Sequence, residues 1–208
     1  MTKTILLAAA SLLAISTGAH AAAFVNGGFR DGTASGWTTG TGYRGGIGNT
    51  TIAPSQFLPG GSGYTGAGDR SAVVGAGYVD PNVGAALGST VCSGNFSCRV
   101  EDTTSGGWAS VISQTVAIYS DPAIFLAWKA VPENGGRPAV QSALMQIALT
   151  DVTTNTVLVS RIYDAGSGTD ARFSSLGALF YTSQMADRAD RHRRQPRRPY
   201  LHALGAGR

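Results

Sequence analysis

The run Asn26-Gly27-Gly28-Phe29-Arg30-Asp31-Gly32, closed by Gly36-Trp37, most constrains what this chain can fold into. Its glycines open backbone turns that other residues resist. Phe29 and Trp37 stand where they can fold back as apolar plugs on either side of a tight loop. No other stretch is dense enough in such residues to read as a motif.

The run resembles the N-terminal "NGGFE-x-G…GW" signature of secreted bacterial jelly-roll modules with a galactose-binding-like β-sandwich. These modules include carbohydrate-binding domains and many exported proteins of the PEP-CTERM class. Ile112-Ser113-Gln114-Thr115-Val116 resembles the strand written "lsQtv" in the same families, and residues 123–131 resemble the "y-x-lsfw" strand that follows it. The resemblance spans residues 24–184. It implies an all-β, antiparallel β-sandwich of jelly-roll type in a non-catalytic extracellular or cell-surface protein. It also implies a structural calcium near the opening loop, held by Asn26 and Asp31 with backbone oxygens, which suit a hard cation. Arg30 departs from the pattern, standing where the family often has an acidic residue. From the residues alone, Asp31 caps a turn, and no cofactor beyond that calcium is expected.

Ahead of this run, Lys3 precedes an apolar core at 5–15 too short to span a bilayer as a stable helix. Ala19-His20-Ala21 offers a cleavage site, with Ala23 as a nearby alternative. Residues 1–21 therefore read as a secretory signal peptide and residues 22–184 as one β-sandwich domain, large enough for a real core. Charged residues make up only 13% of the chain and 29 residues are glycine, which suits an exported all-β protein with long turns and argues against a helical enzyme. Cys92 and Cys98 sit six apart, and in an oxidising compartment a disulfide closing this small loop is expected. A metal pair is the weaker alternative, because no other cysteine or nearby histidine completes a tetrahedral site.

Residues 38–70 are rich in Gly, Thr and Ser without periodicity, and read as a long connection with one short strand. Strands are expected at 71–79, 108–119, 123–131, 143–152, 157–163 and from 176 to 182, separated by turn signals at Asp121-Pro122, 132–136 and 153–155. The stretch 123–131 is the most apolar and fits a central strand. Val157, Val159 and Arg161 fall on one face of theirs. Six or seven strands with no strong helical stretch form a sandwich pattern.

After Gln184 the character changes. Residues 185–208 hold seven arginines, two prolines and two of the three histidines, and strand alternation is lost. Residues 22–184 carry eight Lys or Arg against ten acids, so the formal charge of +4 comes from this tail. The resemblance implies one or two further strands here, the last beside the first, and an apolar anchor helix; this chain lacks the helix. The tail therefore reads as low-order sequence from a frameshift or truncation. The competing reading is a basic arm that binds nucleic acid or an anionic surface through charge.

His20 lies in the signal peptide and His192 and His202 in the tail, so residues 22–184 contain no histidine. That argues against Ser-His-Asp or Cys-His catalysis and a His-ligated metal, and no carboxylate pair of glycosidase type stands out. No catalytic residue is assigned, and the protein reads as not an enzyme. Aromatic rings can stack on the C–H face of a pyranose while polar neighbours take its hydroxyls. Trp128 reads as core and Trp37 as the loop plug, which leaves Tyr43, Tyr64 and Trp108 as candidate ligand-binding residues. The expected partner is an extracellular polysaccharide. Nucleic acid is not expected, and a structural or matrix protein without a small-molecule site is the alternative.

Overall fold

Alternation along the chain becomes eleven strands among the described residues, every pair of them antiparallel. The structure, a computed structural model, describes residues 23–66, 70–101, 106–117, 119, 123–136, 138–166, 170–191 and 199–206, with only the backbone described for 187–191 and 199–206. The strands are β1 (Thr38–Tyr43), β2 (Ala72–Gly75), β3 (Phe96–Arg99), β4 (Trp108–Thr115), β5 (Ala123–Trp128), β6 (Leu144–Asp151), β7 (Thr156–Asp164), β8 (Phe173–Leu176), β9 (Leu179–Thr182), β10 (Ala186–Arg191) and β11 (Pro199–Ala206). One five-stranded sheet runs β1-β4-β11-β6-β7, and three two-stranded ribbons, β10-β5, β2-β3 and β8-β9, complete the fold. Helical structure among the described residues is limited to short 3-10 turns. This is an antiparallel β-sandwich, and the expected signal peptide at 1–21 lies outside the described residues.

Both faces of the large sheet are buried in part. On one, Ala109, Val111 and Leu144 meet Ile52, Phe57 and Leu58 of the segment that follows β1. On the other, Ile147, Leu149 and Tyr163 pack against Ile124, Trp128 and Ala186 of the β5-β10 ribbon. The region 38–70 is thus more than a connection: it supplies β1 and the cover of one core. Gly40 and Gly42 make that possible, since a Cβ at Gly42 would lie 1.7 Å from the carbonyl oxygen of Gly63 and one at Gly40 2.1 Å from that of Phe57.

The opening run docks on β4 through Gln114. Its Oε1 accepts from the Val25 amide at 2.7 Å, and its Nε2 donates to the carbonyls of Val25 and Gly36 at 2.8 and 2.6 Å. Phe29 and Trp37 stack at 5.4 Å between ring centres, and Trp37 Nε1 donates to the Asn26 carbonyl. The two rings do plug the loop.

Four expectations need correction. First, strands continue past Gln184: β10 pairs with β5, and β11 inserts between β4 and β6. The last strand is therefore one removed from β1, with β4 between them. Ladder hydrogen bonds are made by the backbone, so an arginine-rich composition does not prevent them. His202 consequently belongs to the sheet, with its backbone paired to Ser113 and Ala148.

Second, Cys92 and Cys98 are not joined by a disulfide. The second of them belongs to the β2-β3 ladder. Cys98 pairs with Val73, Phe96 with Gly75, and the Ala76 amide donates to the Asn95 carbonyl at 3.0 Å. Cys98 is half-buried in β3, and Cys92 is exposed in the segment before it.

Third, the 123–131 run is not central. Among the described residues β5 pairs only with β10, and Phe125 is 74% exposed while Ile124 and Trp128 are buried. Fourth, β7 carries a bulge: Leu149 pairs with Val159 but Thr150 with Val157, so Leu158 is extra and Val157 leaves the face of Val159.

Candidate functional site

The antiparallel register of β1 and β4 sets Tyr43 opposite Trp108 and Thr41 opposite Ser110. Residues directly opposite share a sheet face, so two aromatics and two hydroxyls gather at this end of the sheet. Tyr43 and Trp108 meet edge to face, their centres 5.9 Å apart and their planes at 74°. Tyr43 is 60% exposed, and Trp108 is half-buried. A Cβ at Gly107 would lie 3.2 Å from the Tyr43 ring, so the absence of a side chain there gives the ring its seat.

A polar network fixes the second ring. The Arg70 guanidinium lies over Trp108, 5.1 Å from its centre. Glu101 pairs with Arg70 Nε through Oε1 at 2.5 Å and accepts the Ser110 hydroxyl through Oε2 at 2.9 Å. Ser110 Oγ in turn lies 3.2 Å from Thr41 Oγ1. The ion pair is largely buried, and its charges offset each other. What faces solvent is therefore the Tyr43 ring beside half-buried Trp108, while Thr41 and Ser110 are buried beneath as part of a network without net charge.

Of the three candidate aromatics, the structure brings Tyr43 and Trp108 together. Tyr64 stays apart: the Thr65 amide donates to the Thr41 carbonyl at 3.1 Å, which lays its segment along β1, but among the described residues no ring contact joins Tyr64 to the other two. Sequence reasoning missed Arg70, Glu101, Ser110 and Thr41. Thr41 and Ser110 were open to discovery, since each lies two residues from a chosen aromatic on the same strand face. Arg70 and Glu101 gave no local signal.

Asn26 and Asp31 are also brought together, in a turn that uses up its own polar groups. Asp31 Oδ1 accepts from Asn26 Nδ2 at 2.7 Å, the Thr33 amide at 2.8 Å and the Thr33 hydroxyl at 2.9 Å, and Oδ2 accepts from the Ser35 hydroxyl. The Ser35 hydroxyl first, then the Thr33 amide, hold this carboxyl down at about 2. Asn26 Nδ2 also donates to the Thr33 carbonyl at 2.9 Å. The oxygens that a cation would need are thus gathered around an amide nitrogen, with a single carboxylate. Calcium takes six to eight oxygens, and among the described residues no group of three or more His, Cys, Asp or Glu could hold a metal. The donor set fits a hydrogen-bonded turn rather than a calcium shell.

No protein-family model matches the chain, and no curated protein matches it. Two solved structures are similar to it. One is TmCBM61 in complex with beta-1,4-galactotriose, at 12% identity and a TM-score of 0.43, covering 89% of this chain and 88% of that one. The other is the enzymatically active domain of bacteriophage CBA120 tailspike protein 4, at 14% identity and a TM-score of 0.41, covering 90% of this chain and 19% of that one.

Proposed function

We propose that this is an exported, non-catalytic extracellular or cell-surface protein that binds polysaccharide through the Tyr43–Trp108 surface. The observation that carries the reading is the exposed Tyr43 ring set against Trp108, itself held by the Arg70–Glu101 pair. A fixed aromatic surface binds the C–H face of a sugar ring with little ordering cost, and the buried Thr41–Ser110–Glu101 network helps hold that surface in place. The offset charges favour a neutral glycan over a charged one.

Capture on insoluble polysaccharides together with a glycan array tests this. Tyr43→Ala and Trp108→Ala are expected to weaken capture about tenfold or more each, the size of a typical aromatic hot spot, with thermal melts showing that the variants remain folded. A folded wild-type sample that binds no glycan overturns the proposal and leaves a structural or matrix protein with no small-molecule site.

A further inference from the structure

The β2-β3 ribbon and β5 are not hydrogen-bonded to one another. The gap between them opens onto β4 and β6 as a cavity of about 510 Å³, with Phe29, Val74, Phe96, Leu126 and Met145 among its apolar walls. That volume falls within the roughly 300–1,000 Å³ typical of small-molecule sites, which are mostly apolar with a few placed polar groups.

The polar groups at its walls are unusually short of partners. Among the described residues six buried side-chain polar atoms find no hydrogen-bond partner, and four of them, Tyr78 OH, Thr90 Oγ1, Arg99 Nε and Trp128 Nε1, belong to residues lining this cavity. Buried polar atoms normally find partners, so a cluster of exceptions marks a place where something is missing. Arg99 is the decisive one. It makes no ion pair among the described residues, and its guanidinium sits 5.9 Å from the centre of the Tyr78 ring.

The other charged groups along the walls are committed. Asp80 accepts from the amides of Asn82 and Val83. Glu101 holds Arg70 and Ser110, and Glu133 is likewise engaged. Lys129 Nζ donates to the carbonyls of Leu87 and Ser183. Arg99 is the charged group on these walls that has no hydrogen bond or ion pair among the described residues, and Val74 and Phe96 line the same cavity.

We propose that the cavity binds an amphipathic organic anion, an aliphatic monocarboxylate whose chain lies along Val74, Phe96 and Met145 and whose carboxylate pairs with Arg99. The site adjoins the Tyr43–Trp108 surface only through Glu101 and does not rest on the polysaccharide reading.

Calorimetric titration of the full chain with decanoate, and with decanol as the uncharged control, decides it. Saturable binding of one decanoate per protein is expected, with decanol weaker. Arg99→Gln should weaken decanoate at least about tenfold, as loss of a charge-assisted contact does, and leave decanol unchanged, while Arg99→Lys restores most of the affinity. A cooperative thermal melt in each variant separates loss of binding from loss of fold. Absence of saturable decanoate binding in folded wild type overturns the proposal, as does equal decanoate affinity in wild type and Arg99→Gln.

Discussion

Asp31 shows how much one exposed side chain can organise. Its two oxygens collect the Asn26 amide group, the Thr33 amide and hydroxyl and the Ser35 hydroxyl, and so hold the 26–37 loop closed over Phe29 and Trp37. These donors favour the charged form and lower its pKa from 3.8 to about 2. The native state therefore binds this proton more weakly than the unfolded chain does. The stabilisation it confers is complete above 3.8, declines as the pH falls toward 2, and is absent below. Asp31→Asn removes the charge while keeping the shape. The melting temperature of the variant should lie below wild type at neutral pH and converge with it as the pH falls through this window. A gap that stays constant down to the lowest pH would show that the charged carboxylate is not what holds the turn.

At the level of strands, Gly40 and Gly42 explain both why β1 exists and why it was hidden. Read without its partner, Thr-Thr-Gly-Thr-Gly-Tyr looks like loop, because glycine weakens strand propensity. In the fold it alternates Thr39, Thr41 and Tyr43 with two glycines that admit the backbone of 57–63, the close approach that glycine in a strand often marks. Gly42→Ala should therefore destabilise the protein by about 3 kcal/mol, since the clash is with backbone that cannot rotate away. Gly46→Ala meets nothing within 4 Å and has no positive φ, so it should be neutral or gain a few tenths of a kcal/mol, roughly, from reduced unfolded-state freedom. Urea unfolding of the two variants compares them directly, and equal midpoints would mean that the segment after β1 does not press on it. The same contrast explains what was legible elsewhere. β4, β6 and β7 announce themselves by period-two alternation within one segment. β3 was hidden because its own Cys98 and the nearby Cys92 pointed by their spacing to a disulfide loop, and the β7 bulge leaves no local mark. The pairing of Tyr43 with Trp108, and with it Arg70 and Glu101, depends on register between distant strands.

For the molecule as a whole, two stretches after Gln184, Ala186–Arg191 and Pro199–Ala206, prove to be part of the architecture. β4 and β6 are not neighbours in the sheet: each is bonded to β11, which pairs along Tyr200–Ala206 with one and along Pro199–Ala206 with the other. Composition concealed this strand, since the shift to Arg, Pro and His at 185 masked the modest alternation of Tyr200, His202 and Leu204 with Leu201, Ala203 and Gly205. Remove β11 and the five-stranded sheet divides into β1-β4 and β6-β7, each with a newly open edge, a recognised route to aggregation. Ala203 sits at the middle of the insertion, opposite Ile112 on one side and Ile147 on the other. Proline there has no N–H to give and is tolerated essentially only at sheet edges. Ala203→Pro should cost at least about 3 kcal/mol, lower the urea midpoint and raise the fraction of protein lost to aggregates on size-exclusion chromatography. Unfolding at the wild-type midpoint would instead mean that the 199–206 strand does not close the sheet. The arginine-rich segment would then return to being an arm outside the sandwich, to be tested for salt-dependent binding to polyanions.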